Sequence, residues 1–178
     1  MKALCKAHPI SNLLLMLFVC LPVQSNAVAP EAAFSENGMV ASRSVLASQV
    51  GADILRKGGN AVDAAVATGF ALAVTHPSAG NLAGGGFIVI RLADGTVIAN
   101  DHRERAPLAA TRDMYLDKQG NVIPDLSTHS HLAVGVPGTV AGLLDALEKY
   151  GTMSRQEVLN PAIRLAEQGF ALDLDMAR

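Results

Sequence analysis

Apolar residues recur at helical spacing in two neighbouring segments of the first half of the chain. In residues 45–57 they fall near one face and the segment ends at Gly58, which predicts an amphipathic helix. Residues 61–74 are apolar on nearly every side, which is typical of a helix buried on several faces. Asn60 precedes this segment and Asp63 lies in its first turn, as in capped helices. We expect this second helix to be central and to lie against a sheet.

Short apolar runs elsewhere predict strands. Residues 38–41 are expected to form a short strand, and residues 87–92 and 96–99 flank an Asp-Gly turn, as the two arms of a hairpin do. Residues 131–136 are also apolar and are expected to be extended. The strands are therefore expected to lie between the early helical segments and the C-terminal part.

The C-terminal part contains further helical segments. Residues 140–150 are expected to form a helix, and Ser154 and Glu157 have the spacing of a capping box. Pro161 is expected to begin a separate helical piece, and Gly169 is expected to end it. This order of helices and strands predicts an α+β fold in which helices pack on an antiparallel sheet.

The first 27 residues have the layout of a secretory signal peptide. Two lysines precede an apolar run at residues 13–21, which is too short to span a bilayer. Ser25 and Ala27 supply the small side chains of a cleavage site. We therefore expect residues 1–27 to be removed, and the protein to be periplasmic or secreted without a stable membrane anchor.

Removal of this segment would change both the cysteine content and the charge. Cys5 and Cys20 are the two cysteines, so no disulfide, thiolate metal site or cysteine nucleophile is expected in the mature chain. A lipoprotein signal is the alternative, but Cys20 follows Val19 inside the apolar run instead of a small residue at its end. The mature chain keeps 12 basic and 16 acidic residues, a net charge of −4, which does not suggest nucleic acid as a partner.

Three common kinds of site are disfavoured by the motifs. Gly84 to Gly86 follow a helical segment and precede a strand, the reverse of a phosphate-binding loop, so a tight loop where two backbones pass closely is the better interpretation. His129 and His131 are too few ligands for a zinc site, and no metal site is expected. The G-x-S-x-G motif of α/β-hydrolases is absent from the sequence.

Residues 100–107, with the sequence NDHRERAP, concentrate charge at the end of the predicted hairpin. Arg103 lies where a strand ends and a loop begins, and its guanidinium group can hold a carboxylate through two parallel hydrogen bonds. Asp101 and Glu104 could then hold the guanidinium plane in place. The alternative is a solvated turn whose acidic and basic side chains pair with each other, which contributes little to stability. The residues alone leave both interpretations open.

Several stretches together resemble the gamma-glutamyltranspeptidases, also called glutathione hydrolases. The resemblance implies an N-terminal-nucleophile hydrolase fold, an αββα sandwich, of which only the N-terminal part is present. It also implies a precursor that cleaves itself into two subunits, with residues 28–178 forming the N-terminal part of the large subunit. The stretches that carry the resemblance are GGNAVDAAVA (58–67), HPSAGNLAGGGF (76–87), DHRERAP (101–107), GVPGTVAG (135–142) and NPAIRLAEQGF (160–170).

The resemblance also implies an activity and a role for one residue. Members of the family cleave γ-glutamyl amides such as glutathione, and pass the glutamyl group to water, an amino acid or a peptide through an acyl-enzyme on an N-terminal threonine. They need no metal or cofactor. The arginine that binds the α-carboxylate of the glutamyl group corresponds to Arg103. Arg105 does not match that role and is expected to be a surface residue, and His102 occupies a variable position of the motif.

The family's nucleophile motif, T-T-H, is expected downstream of these stretches. Ser127-Thr128-His129 is its nearest imitation, but it precedes a large-subunit motif, so we expect no catalytic residue in this chain. The small subunit from the same precursor is then the expected partner, and the truncated chain alone is expected to be inactive. Two alternatives are a cephalosporin (glutaryl) acylase of the same fold and a non-catalytic, truncated periplasmic binding protein.

Overall fold

The computed structural model describes residues 32–172, 174, 176 and 177. The contacts divide the chain before Ser35, and residues 32–34 have no regular secondary structure. The predicted signal peptide lies outside the described residues. Within the described part, no helix is long and apolar enough to cross a membrane.

The unit that begins at Ser35 contains helices and one antiparallel hairpin. Short loops join the two helices within each helix pair, whereas long loops flank the hairpin, and the later one includes the 3-10 turn His131–Ala133. The elements, numbered in chain order, are α1 (Val45–Arg56), α2 (Ala61–Thr75), β1 (Phe87–Arg91), β2 (Val97–Asp101), α3 (Thr139–Tyr150) and α4 (Arg155–Gln168).

Helix α2 is the centre of the core, as its apolar sequence predicts. Most of its residues are buried, and it packs against α1, α3 and α4. Its main neighbours among the described residues are helices, and Ile90 of the hairpin belongs to the same core cluster, so the expectation that it lies against a sheet stays a prediction. Small residues such as Ala64, Ala67 and Ala71, all at most 3% exposed, let these helices approach closely.

The ends of the helices follow the polar residues in the sequence. The side chain of Ser44 accepts a hydrogen bond from the backbone N–H of Ala47 and begins α1. Asn60 begins α2 within a capping box, and Ser154 and Glu157 form the predicted capping box at the start of α4. Each of these caps satisfies backbone donors that the first turn of a helix leaves without partners.

Three sequence predictions about local structure are wrong. Helix α4 runs without a break from Arg155 to Gln168 and contains Pro161, which was expected to begin a new helix. Val158 and Ala162 on either side of this proline are buried, and their packing outweighs the missing backbone hydrogen bond. Residues 38–41 form no strand because no described segment pairs with them, and the stretch 131–136 begins with the 3-10 turn before it becomes extended.

The carboxylate of Asp63 connects the start of α2 to the loop between α3 and α4. It is fully buried, and it accepts hydrogen bonds from the backbone N–H groups of Asn60 (2.7 Å), Thr152 (2.9 Å) and Met153 (3.1 Å), and from the Thr152 hydroxyl (2.7 Å). Burial acts to raise the pKa of Asp63, but the hydrogen bonds from Thr152, Asn60 and Met153 outweigh it and lower the pKa below its ordinary value. The sequence predicts a role at the dipole of α2, whereas the structure gives Asp63 a wider role that joins distant segments.

The hairpin has one face toward the helices and one face exposed. Val89 lies opposite Ala99 in the antiparallel register, and the turn closes at Gly95, whose positive φ of 89° matches the predicted Asp-Gly turn. Ile90 is buried, whereas Phe87 and Val89 on the other face are mostly exposed. Strand β2 ends at Asp101, so the hairpin delivers the charged stretch directly to the region beside α3.

Candidate functional site

The charged turn, residues 101–105, is held by backbone pairing at both ends. His102 and Gly86 exchange hydrogen bonds through their backbones at 3.0 and 3.3 Å. Arg105 and Val136 do the same at 3.2 and 2.7 Å and form an isolated antiparallel bridge. These contacts fix the backbone of the turn although most of its side chains are exposed.

Glycines allow two other segments to pass very close to the charged turn. A Cβ atom on Gly85 would lie 2.7 Å from Cα of Arg103, which is closer than real Cβ contacts. A Cβ on Gly138 would collide with the carbonyl oxygen of His102. The structure therefore confirms that the loop at Gly84 to Gly86 is a tight passage of two backbones, and it shows that the passage is against the charged turn.

The same glycine loop also positions the N-terminus of α3. The carbonyl oxygen of Gly84 accepts hydrogen bonds from the backbone N–H groups of Gly138 (2.7 Å) and Thr139 (3.0 Å). The side chain of Asn81 joins this contact, since its oxygen accepts from the Gly84 N–H (2.8 Å) and the Thr139 hydroxyl (2.5 Å). Three of the sequence motifs thus meet at one place beside α3.

His102 packs against α3, which sequence reasoning missed. Its ring lies so close to Gly142 that a Cβ there would overlap the ring. Nδ1 of His102 lies 2.9 Å from Oδ1 of Asn100, whose amide nitrogen donates to Oδ2 of Asp145 at 2.9 Å. Because the Asp145 carboxylate only accepts, the Asn100 oxygen faces the ring and Nδ1 carries the proton. The spacing of the small residues in GVPGTVAG was the signal for this close contact.

Arg103 has a fixed backbone and an accessible side chain. Its backbone N–H donates to Oδ1 of Asp101 at 3.0 Å, so Asp101 orients the backbone and does not hold the guanidinium plane. Nε of Arg103 lies 4.0 Å from Oε2 of Glu104, and the arginine side chain is 69% exposed. The structure places Glu104 as a loose neighbour of the guanidinium group, which leaves that group able to bind an anion.

Arg105 contributes its side chain to the same region. Its backbone is fixed by Val136, but no carboxylate of the described residues lies within ion-pairing distance of its guanidinium group. Arg103 and Arg105 line one cavity of about 380 Å³, between the charged turn and α3. Further residues that line this cavity are Asp101, Gly138, Ala141 and Asp145.

The other candidate residues lie on an exposed loop. The hydroxyl of Thr128 is 2.9 Å from Nδ1 of His129, and this nitrogen is 3.6 Å from a carboxylate oxygen of Asp125. Both members of the His129–Asp125 pair have side chains that are 79% exposed. Among the residues that the structure describes, no group of three or more His, Cys, Asp or Glu could hold a metal ion.

Comparisons with known proteins identify the family. A family model described as Gamma-glutamyltranspeptidase matches residues 47–178. The chain belongs to the gamma-glutamyltranspeptidase family. The glutathione hydrolase proenzyme of Escherichia coli (strain K12) is 60% identical over 139 residues, which cover 78% of this chain and 24% of the relative. The glutathione hydrolase proenzyme of Pseudomonas sp. (strain A14) is 59% identical over 145 residues, which cover 80% of this chain and 25% of the relative.

This chain thus spans about a quarter of the length of these gamma-glutamyltranspeptidase relatives. Its structure is similar to the crystal structure of Helicobacter pylori gamma-glutamyltranspeptidase, with a TM-score of 0.77 and 55% identity, over 82% of this chain and 42% of that one. It is less similar to a cephalosporin acylase from Bacillus halodurans, with a TM-score of 0.68 and 30% identity, over 85% of this chain and 28% of that one. These likenesses confirm that the chain is part of an N-terminal-nucleophile hydrolase fold.

Proposed function

We propose that the protein to which this chain belongs cleaves γ-glutamyl amides such as glutathione and transfers the glutamyl group to water, an amino acid or a peptide. In this proposal, Arg103 binds the α-carboxylate of the glutamyl group. The nucleophilic threonine belongs to the small subunit of the same precursor, so this chain contributes substrate binding and no catalytic residue. The signal peptide at residues 1–27 directs the precursor to the periplasm or outside the cell.

One observation about Arg103 supports this role most directly. Its backbone is fixed by Asp101 and by the pairing of His102 with Gly86, while the residue lines a cavity and its side chain is mostly exposed. A fixed backbone reduces the entropy lost when a ligand binds, and a guanidinium group can form two parallel hydrogen bonds to a carboxylate. Glu104 lies at the Nε side, at 4.0 Å, and leaves the terminal nitrogens open to a ligand.

The experiment compares Arg103→Gln and Arg103→Lys in the full-length precursor. We expect Arg103→Gln to raise KM for a γ-glutamyl anilide about 10- to 100-fold, since a hydrogen bond to a charged group contributes about 1.5–3 kcal/mol. Arg103→Lys keeps the charge and loses the paired hydrogen bonds, so its KM should lie between those of the wild type and Arg103→Gln. Steady-state kinetics of the matured enzyme measures both.

The matched control is Arg112→Gln, because the Arg112 side chain is 96% exposed and does not line the cavity. Its KM should equal that of the wild type. If the Arg103 variants mature normally and also keep the wild-type KM, Arg103 does not bind the substrate and the assignment is wrong.

A glutaryl acylase activity is the second candidate, because a solved cephalosporin acylase resembles this chain. A glutaryl group also carries a carboxylate that Arg103 could bind, but it lacks the α-amino group of a glutamyl group. The higher identity to gamma-glutamyltranspeptidases favours the glutamyl substrate. Comparing kcat/KM of the full-length protein for a γ-glutamyl anilide and the matching glutaryl anilide decides between them. A preference for the glutaryl compound would overturn the first proposal.

A further inference from the structure

The charged turn presents a second arginine to the cavity that contains Arg103. Asp101, His102, Arg103 and Arg105 of the charged turn all line the cavity. Glu104 is not among the lining residues, and its side chain lies against Gly135. Both arginines therefore border the same cavity, although the family resemblance gives a role to Arg103 alone.

The charged side chains around this cavity differ in whether they have hydrogen-bond or ion-pair partners in the described part of the chain. Asp145 is engaged by Lys149, whose Nζ lies 2.8 Å from Oδ1, and by the amide of Asn100. Asp101 accepts from the backbone of Arg103. Within the described part of the chain, Arg105 alone of these ionisable side chains has no hydrogen bond or ion pair.

Two neighbouring guanidinium groups repel each other unless an anion lies between or beside them. The cavity also borders Gly138 and Ala141, at the N-terminal end of α3, where the helix dipole is positive. This helix end adds to the positive potential of the two arginines, while the Asp101 and Asp145 carboxylates are engaged by other groups, so the cavity favours a ligand that has more than one negative group.

We propose that Arg105 binds a second carboxylate of the substrate, namely the C-terminal carboxylate of the peptide that is released from a γ-glutamyl peptide. An acceptor peptide that takes the place of the leaving peptide would present its own C-terminal carboxylate to Arg105 in the same way. Arg105 is then a specificity residue that favours γ-glutamyl peptides over γ-glutamyl amides with uncharged leaving groups. This inference rests on the proposed function, because it assumes that Arg103 holds the glutamyl end.

The geometry of the turn is compatible with this assignment. Consecutive Cα atoms lie about 3.8 Å apart, so residues two apart have their Cα atoms at most about 7 Å apart. Arg103 and Arg105 are two apart, and both backbones are fixed by the contacts with Gly86 and Val136 at the ends of the turn. The long side chains of Arg103 and Arg105 start from two fixed and nearby backbone positions, so they can reach two carboxylates of one small molecule.

The experiment crosses two variants with two substrates in the full-length precursor. The substrates are glutathione and its glycinamide analogue, which differ only in whether the C-terminal group is a carboxylate or an uncharged amide. For Arg105→Gln we expect KM for glutathione to rise about two- to fivefold, as is reasonable for an exposed ion pair, and KM for the analogue to stay unchanged. Arg105→Lys keeps the charge and should restore most of the affinity for glutathione.

Arg103→Gln distinguishes a failure of this inference from a failure of the proposed function. It should raise KM for both substrates, since both carry the glutamyl α-carboxylate. If it does so and Arg105→Gln changes the two substrates equally or changes neither, the inference about Arg105 is overturned while the proposed function stands. If Arg103→Gln changes neither substrate, the proposed function itself fails.

Arg105→Gln is expected to fold, because the hydrogen bonds between Arg105 and Val136 use only backbone atoms. The yield of matured subunits checks this. Arg112→Gln is again the matched control, since it removes an exposed arginine outside the cavity and should leave both KM values unchanged.

Discussion

Asp63 and the charged turn place ionised side chains in opposite ways. The Asp63 carboxylate is fully buried and accepts hydrogen bonds from Asn60, Thr152 and Met153, so its capacity to accept hydrogen bonds is used by groups of the protein itself. Arg103 has a fixed backbone, yet among the described residues its guanidinium group has one loose ionic neighbour, Glu104, at 4.0 Å. A buried charge needs hydrogen-bond partners within the folded protein. An exposed charge on a rigid backbone can leave its hydrogen-bonding groups available to a ligand.

The two regions should therefore respond differently to loss of their charge. A change at Asp63 should affect stability, because it leaves several buried donors without an acceptor. A change at Arg103 or Arg105 should affect substrate affinity, because no described contact depends on either guanidinium group except the loose one with Glu104. Three variants test this contrast, and the one with the largest expected effect lies at Asp63.

Asp63→Ala should destabilise the protein strongly. It removes the acceptor of three hydrogen bonds that join the start of α2 to the loop between α3 and α4, and of the capping bond from the Asn60 N–H. A buried donor that is left without an acceptor costs about 1–3 kcal/mol, and several donors lose theirs, so the urea midpoint should fall sharply. Urea unfolding followed by helical circular dichroism measures it. The matched control is Asp113→Ala, at an exposed site, and an equal loss in both variants would refute the role of Asp63.

The same carboxylate predicts an acid limit to stability. Its pKa is lowered in the folded state, so its contribution is fully present above the unfolded pKa of about 3.9 and is lost as pH falls through the folded pKa. Thr152→Val removes the hydroxyl that donates to Asp63, so the pKa of Asp63 should be lowered less in this variant than in the wild type. In that variant, the loss of stability on acidification should be smaller and should end at a higher pH.

Gly142→Ala is the second test and acts on the contact between α3 and the charged turn. A Cβ at position 142 overlaps the ring of His102, so the turn or the helix must move. Such overpacking costs about 1–3 kcal/mol. Since the displaced residue precedes Arg103, KM for γ-glutamyl substrates should rise as well. Urea unfolding and steady-state kinetics of the matured enzyme measure the two effects.

Gly69→Ala is the control for this variant. Gly69 lies inside α2, and a Cβ there meets only the flexible end of Leu143, at 3.2 Å. Its effect on stability should be small, because alanine also improves helix propensity by about 0.5–1 kcal/mol. Equal effects of Gly142→Ala and Gly69→Ala would show that the contact with His102 is unimportant.

The parts of the fold that local chemistry decides could be predicted from the sequence. Asn60 and Ser154 begin helices at the expected places, and the Asp-Gly turn closes the hairpin at Gly95. These features depend on hydrogen bonds or φ angles within a few residues, so their signals lie close together in the sequence. The family resemblance supplied what local chemistry could not, namely the fold as a whole and the role proposed for Arg103.

The wrong or incomplete predictions concern features that depend on contacts between residues distant in the sequence. Pro161 ends a helix by its own preference, but the burial of Val158 and Ala162 keeps α4 continuous. His102 was treated as a variable position because nothing near it in sequence shows that its ring meets Gly142, 40 residues later. The prediction that Arg105 is a surface residue agrees with its exposure, but the sequence did not show that it shares a cavity with Arg103.

The third test, with the smallest expected effect, is His102→Phe. Phenylalanine keeps a ring against Gly142 but removes the hydrogen bond between Nδ1 and Oδ1 of Asn100. Loss of one such bond costs about 1 kcal/mol, and it releases the amide of Asn100 that bridges to Asp145. We therefore expect a small fall in the urea midpoint and a rise of a few fold in KM, with kcat unchanged, because His102 positions Arg103 and does not touch the reacting atoms.

Asn100→Ala removes the same hydrogen bond from the other side, so it should raise KM to a similar extent. If His102→Phe lowers kcat and leaves KM unchanged, His102 is not a positioning residue for Arg103.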